Sequence, residues 1–209
     1  MHLLVFGATD GTGRQLVTQA LEQGHTVTAC VRMTASLGIN HPNLRVFRGN
    51  ILDEQAVVSA VFGADVVLAA LGSRERGLPD LIQGTRNILA AMYQCEVRRS
   101  IWVSSFGVGE SLGQMGWLAR NVIVKGFLRA AIEARAIQER IITQSEGDWI
   151  IVRPGSLTDG PHTGVYRIIP SAAQVQINRP AISRADVADF MLKNLTDNTY
   201  VRQAVGLSY

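Results

Sequence analysis

Lysine is nearly absent from this 209-residue chain: Lys125 and Lys193 stand against eighteen arginines. The basic residues are scattered, with no block of like charge, so no nucleic-acid-binding tail is expected despite a net charge of +3. The arginine excess fits either planar recognition of phosphates and carboxylates or codon bias. Cysteine is scarce too. Cys30 and Cys95 both fall among apolar residues, which suits two reduced core thiols better than a disulfide and implies a cytoplasmic protein. No apolar run approaches the ~18 residues of a spanning helix, and the chain enters an apolar segment with no basic leader, so neither membrane span nor targeting segment is expected. The histidines His2, His25, His41 and His162 show no ligand spacing, which excludes a metal centre as an expectation. "VSSFG" lacks the Gly-x-Ser-x-Gly pattern of a hydrolase nucleophile.

What is present is a regular alternation. Leu3 to Phe6, Thr26 to Val31, Arg45 to Phe47, Val66 to Ala70, Ser100 to Val103 and Trp149 to Val152 read as strands. Helical faces lie between them, such as Leu16, Val17, Ala20 and Leu21, or Ala56, Val57, Ala60 and Val61 ahead of Gly63. Leu81, Ile88, Leu89 and Met92 repeat the pattern. Apolar strands separated by helices imply an α/β fold, a doubly wound parallel sheet in a three-layer α/β/α arrangement, with ligands at the carboxyl ends of the strands. With 47% hydrophobic and 18% charged residues, the chain is long enough for one core, so residues 1–209 are expected to form a single domain. After Val152 glycines and prolines break the rhythm, and residues 155–182 are expected to cap the substrate side. Ser183-Arg184-Ala185-Asp186 then has the pattern of a capping box opening a last helix through Leu195.

The stretch "LLVFGATDGTGRQLV" runs from a strand through a glycine turn into a helix, the context in which unpaired amides and the helix dipole hold a pyrophosphate. Gly7, Thr9, Asp10, Gly11, Thr12 and Gly13 form this loop. Asp10 stands where a glycine usually permits close approach, and a carboxylate about 4 Å from a phosphate would be repelled by roughly 4 kcal/mol at an effective dielectric near 20. Its side chain is therefore expected to turn away and cap the amides of Thr12 or Gly13. The alternative is a plain turn with a helix cap. At the end of the second strand an acid would bind the ribose of NAD, but Arg32 stands there, followed by Thr34 and Ser36. A guanidinium and hydroxyls suit a ribose 2′-phosphate, which favours NADP(H) over NAD; a solvated surface arginine is the other reading.

These residues, with "GNILD", "LAALGSRER", "QGTRNILAAM", "VSSFGVG", "GDWIIVRPGSL", "DGPHTGVYRI" and "ISRADVADFML", resemble the atypical short-chain dehydrogenase/reductases with a Rossmann fold. The NmrA-like group and the NADPH-dependent biliverdin-IXβ/flavin reductases are the nearest types, and the resemblance spans almost the whole chain. It implies that the loop Gly7 to Gly13 meets the pyrophosphate and Arg32 the 2′-phosphate. Asn50 and Ile51 would flank the adenine, while Leu71, Gly72, Ser73 and Arg74 line the ribose and nicotinamide side. Ser104 and Ser105 would lie beneath the nicotinamide, and Pro154, Gly155 and Ser156 near its carboxamide. Two positions depart from the pattern: Ser36 replaces a second arginine, and Ser156 replaces a histidine of flavin-reductase relatives.

Most members of the superfamily use Tyr-x-x-x-Lys for proton exchange. Four residues after Tyr93, Tyr166 and Tyr200 come Val97, Pro170 and Ala204, and Tyr209 is the last residue, so the motif is missing. The expected chemistry is hydride delivery from NADPH to a planar conjugated acceptor, a flavin (FMN or FAD, as substrate and not prosthetic group) or a linear tetrapyrrole such as biliverdin, with Ser105 as the candidate catalytic hydrogen-bond donor. A non-catalytic NmrA-like redox sensor is the alternative. Between Gly113 and Ile132, apolar Trp117, Leu118, Val122, Phe127 and Leu128 are edged by Arg120, Lys125 and Arg129; a lid, a partner surface and plain core all fit. Apart from a small-molecule acceptor no partner is indicated, and a monomer is favoured.

Overall fold

The computed structural model describes residues 1–32, 37–72, 78–116, 129–171, 173, 177 and 180–209. Its strands are β1 (His2–Phe6), β2 (Thr26–Val31), β3 (Leu44–Arg48), β4 (Val66–Ala69), β5 (Arg99–Val103), β6 (Asp148–Pro154), β7 (Ser156–Thr158), β8 (Arg167–Pro170), β9 (Ala181–Ser183) and β10 (Gln203–Ser208). The helices are α1 (Gly11–Glu22), α2 (Glu54–Val61), α3 (Leu78–Gln94), α4 (Arg129–Thr143) and α5 (Arg184–Lys193). Eight strands form one sheet in the order β3-β2-β1-β4-β5-β6-β10-β8, parallel except for β8, which runs antiparallel to β10.

Strand alternation divides the core. Leu3 and Val5 of β1 point to one face, where Leu16, Val17 and Ala20 of α1 and Val187, Phe190 and Met191 of α5 cover them. Leu4 and Phe6 point to the other, beneath Val57 and Val61 of α2, Leu81, Ile88 and Met92 of α3, and Ala134 and Ile142 of α4. Burying both faces is what makes continuous apolar strands stable, and it gives the doubly wound α/β arrangement read from the sequence.

Three features depart from the pattern. The region expected as a cap of loops and short extended pieces does hold such pieces, but one of them, β8, joins the main sheet, while β7 and β9 pair separately. The sequence pattern indicates no strand after the last helix, yet β10 is inserted beside β6, with Val205 and Leu207 fully buried. The last helix ends at Lys193, two residues before Leu195. Its start agrees with the capping box, since Ser183 Oγ accepts from Asp186 N at 3.0 Å. The reciprocal arm is missing, because the Asp186 carboxylate accepts from Thr163 and Gly164 of the preceding segment and from Tyr209.

Candidate functional site

The order of strands reverses between β1 and β4, and in doubly wound sheets ligands bind at such a switch point, outside the carboxyl ends of the strands. The loop leaving β1 is built to a tight tolerance there. Gly7 has φ +79°, and a Cβ on it would come 2.3 Å from the carbonyl oxygen of Ala70 at the end of β4. A Cβ on Gly13 would come 2.0 Å from Gly7 O. Both glycines are therefore demanded by the approach of backbone to backbone.

Asp10 occupies the N-cap position of α1 in extended conformation, but its side chain makes no capping hydrogen bond, contrary to the expectation that it caps Thr12 or Gly13. The reason lies in Gly11, the first residue of the helix, whose φ of +54° takes the following amides out of the fan that a right-handed first turn presents to a cap. Thr9 is half-buried at the turn. Thr12 is 6% exposed, and its Oγ1 has no hydrogen-bond partner among the described residues.

On the β2 side, Arg32 is exposed immediately after Val31. Arg14 of α1 donates to Leu37 O and ties the helix to the chain beyond β2. Asn50 is exposed and accepts from Leu52 N at 3.1 Å. Ile51 packs against Gly84 of α3, and its carbonyl accepts from Asn87 Nδ2 at 2.9 Å. Thr34, Ser36, Ser73, Arg74 and residues 117–128, which include most of the apolar-basic stretch, lie outside the described residues.

The β4–β5–β6 side is organised by charges that the sequence reading missed. Arg135 of α4 is buried and donates to the carbonyls of Leu71, two residues beyond β4, and Val103, which ends β5, and to Gln138 Oε1 at 2.7 Å. Burial pulls its guanidinium down to about 10, partly countered by Glu139, so it stays charged at neutral pH. Glu139 accepts from Arg153 of β6 through Nε at 3.0 Å and Nη2 at 2.6 Å, and from Ser104 Oγ. Desolvation alone would lower the Arg153 pKa; the bonds to Glu139 and Glu110 outweigh it and hold it above its ordinary value. Arg153 also reaches Glu110 and Ser171, fixing the loop after β5. The sequence does carry a signal for this network. Arg153 interrupts the apolar run "WIIVRP", and a charge in a buried strand requires a partner.

Ser104 is thereby committed to Glu139, whereas half-buried Ser105, among the described residues, donates to the adjacent Phe106 carbonyl at 3.2 Å. Leu71 is buried and Gly72 exposed beside it. Pro154 is buried at the end of β6. Gly155 donates to Leu207 O, and a Cβ on it would lie 2.4 Å from Pro180 C, while Ser156 is exposed. Two tyrosines share this edge of the sheet. Tyr166 Oη donates to Asp189 Oδ2 and Tyr209 Oη to Asp186 Oδ2, both at 2.7 Å, and burial together with Asp189 pushes the Tyr166 phenol far up. Tyr93 is 84% exposed in the last turn of α3, and Tyr200, which precedes β10, packs its ring 5.6 Å from that of Phe190, which Tyr166 also meets at 6.3 Å.

Residues 7–198 match the family model described as NAD(P)H-binding. An uncharacterized chloroplastic protein of Arabidopsis thaliana is 30% identical over 92% of this chain and 71% of its own. Steroid dehydrogenases among the curated relatives are longer proteins, and this chain spans 32% of their length. Among solved structures, a short-chain dehydrogenase/reductase of Veillonella parvula in complex with NADP superposes with a TM-score of 0.84 at 20% identity, over 100% of this chain and 94% of that one. An anaerobilin reductase of Escherichia coli O157:H7 superposes with a TM-score of 0.80 at 24% identity, over 100% and 97%. The glycine loop at the switch point, the doubly wound sheet and the match over nearly the whole length together make this chain a member of the NAD(P)H-binding family.

Proposed function

We propose that the chain is an NADPH-dependent reductase of planar conjugated acceptors, a flavin or a linear tetrapyrrole. The observation that carries this reading is the commitment of the two tyrosines at the site edge: the hydroxyls of Tyr166 and Tyr209 are given to buried carboxylates. Neither hydroxyl is left to exchange a proton with an alcohol or carbonyl substrate. An acceptor that takes hydride into a conjugated ring system and its proton from water needs none.

The residues present fit the cofactor. Gly7 and Gly13 bring backbone to the surface of the loop, and the buried Oγ1 of Thr12, which has no hydrogen-bond partner among the described residues, is a polar atom that a phosphate oxygen would satisfy. When bound, NADPH supplies the hydride. The amides of Gly11 to Gly13 would hold its pyrophosphate, and Arg32 would pair with its 2′-phosphate. Arg135 fixes the ends of β4 and β5, where Leu71, Gly72 and Ser105 would shape the nicotinamide pocket. Ser105 would orient the acceptor by hydrogen bonding, and residues 155–182 would cap it on the substrate side of this single domain. The reading agrees with an anaerobilin reductase standing among the fold neighbours.

The test offers FMN, FAD, biliverdin and a quinone in turn while NADPH absorbance is followed. Oxidation is expected with a flavin or tetrapyrrole and not without an acceptor. Tight NADPH binding with no turnover across the panel would overturn the reductase reading in favour of a redox sensor.

A further inference from the structure

Arg184 lies against the glycine loop although it comes from the far end of the chain. A Cβ on Gly11 would stand 3.3 Å from Arg184 Nε and 3.5 Å from its Cδ. This proximity follows from the packing of α5 beside α1, where Gln19 Nε2 donates to Ala185 O at 3.0 Å. On its other side Arg184 Nη1 donates to Asp159 Oδ1 at 2.7 Å. The Arg184 side chain is 23% exposed and that of Asp159 is 90% exposed, so the guanidinium is largely sheltered while its partner sits in water. A carboxylate that is hydrated this well holds an arginine weakly.

We propose that Arg184 binds the cofactor pyrophosphate, with Asp159 as its partner in the absence of cofactor. The proposal rests on the reading of the loop as the NADPH site. It gives Arg184 a task different from that of Arg32. Pyrophosphate is common to NADPH and NADH, whereas the 2′-phosphate belongs to NADPH alone.

Fluorescence titration of NADPH and NADH into the full chain tests this, with Arg184→Gln, Arg184→Lys and Asp159→Asn. Arg184→Gln should weaken both cofactors to the same extent, about ten- to hundred-fold, the range of a charge-assisted phosphate contact. Arg184→Lys should recover part of the loss. Asp159→Asn should leave affinity unchanged or tighter, because it releases the guanidinium. Wild-type affinity in Arg184→Gln would overturn the proposal. So would an equal loss in Asp159→Asn, which would mark the pair as a link holding the segment after β7. Should Arg184→Gln fail to fold, Arg184→Lys decides: a partial loss shared equally by NADPH and NADH supports the assignment, and wild-type affinity for both refutes it. A wild type that binds NADPH and NADH normally but is indifferent to Arg184 removes only this assignment, whereas one that binds neither removes the cofactor site itself.

Discussion

The two sides of the switch point are made of different materials. On the β1 side the chain offers backbone: two glycines pressed against carbonyls, a helix start and a buried hydroxyl without a described partner. On the β4–β5–β6 side it offers side chains, with Arg135, Glu139 and Arg153 buried and bonded to one another's neighbours and to the strand ends. The first side presents backbone at the carboxyl ends of the strands. The second is complete in itself and acts as the rigid wall against which the first is measured.

The difference can be broken most severely from the charged side. Glu139→Ala leaves Arg153 without its bidentate partner at 5% side-chain exposure, and should destabilise the fold by about 3–5 kcal/mol in urea unfolding. A loss below about 1 kcal/mol would mean that Glu110 and water replace the carboxylate. Next comes the backbone side. Gly13→Ala forces a methyl into Gly7 O and should cost about 3 kcal/mol in thermal unfolding together with most NADPH binding. Retained stability with lost binding would show that the loop shifts at little expense.

Arg32→Ala sharpens the contrast without touching the fold. NADPH affinity should fall about ten- to hundred-fold, and NADH affinity should hardly change. Arg32→Asp should go further and favour NADH, because a carboxylate repels the phosphate and accepts from ribose hydroxyls. Equal losses for both cofactors would move Arg32 out of 2′-phosphate recognition.

The smallest effect is confined to acid. Burial alone would raise the Asp186 pKa, but hydrogen bonds from Tyr209, Gly164 and Thr163 bring it down to about 2. A depressed folded-state pKa gives stability that is fully present above the unfolded value near 4 and lost as pH falls through about 2. Asp186→Asn should therefore flatten the stability profile between about pH 4 and pH 2. An unchanged profile would assign the acid sensitivity to other carboxylates.

The fold was legible wherever one periodicity dominated. Thr26–Val31 is the same strand in both readings, and the Ser183 cap appears with its Asp186 amide bond. Asp10 misled because capping preference is a statement about side chains, whereas Gly11 changed the backbone that the side chain would have met. β10 was hidden because "QAVGLS" is short and interrupted by Gly206, and only the free edge of β6 makes it a strand. The α4 network was hidden for a further reason. Arg135, Gln138 and Glu139 have the composition of a solvated helix face, and nothing within the helix says that Val103, Leu71 and Arg153 lie opposite. Of the site itself, the glycine loop and the strand-end serines were legible, and the division of labour between Ser104 and Ser105 was not.

The order of the eight-stranded sheet has one more consequence, at its ends. β3 closes one edge with the sequence "LRVFR", where Arg45 and Arg48 are exposed and the Arg45 guanidinium sits 5.8 Å from the Phe47 ring centroid. β8 closes the other, running against its neighbour and carrying Arg167 and Pro170, which has no N–H to donate. A strand from another molecule would meet a desolvated cation at the first edge and a missing donor at the second. Lateral growth from sheet to sheet, the route by which exposed edges seed fibrils, is discouraged at both ends by a handful of residues that take no part in chemistry.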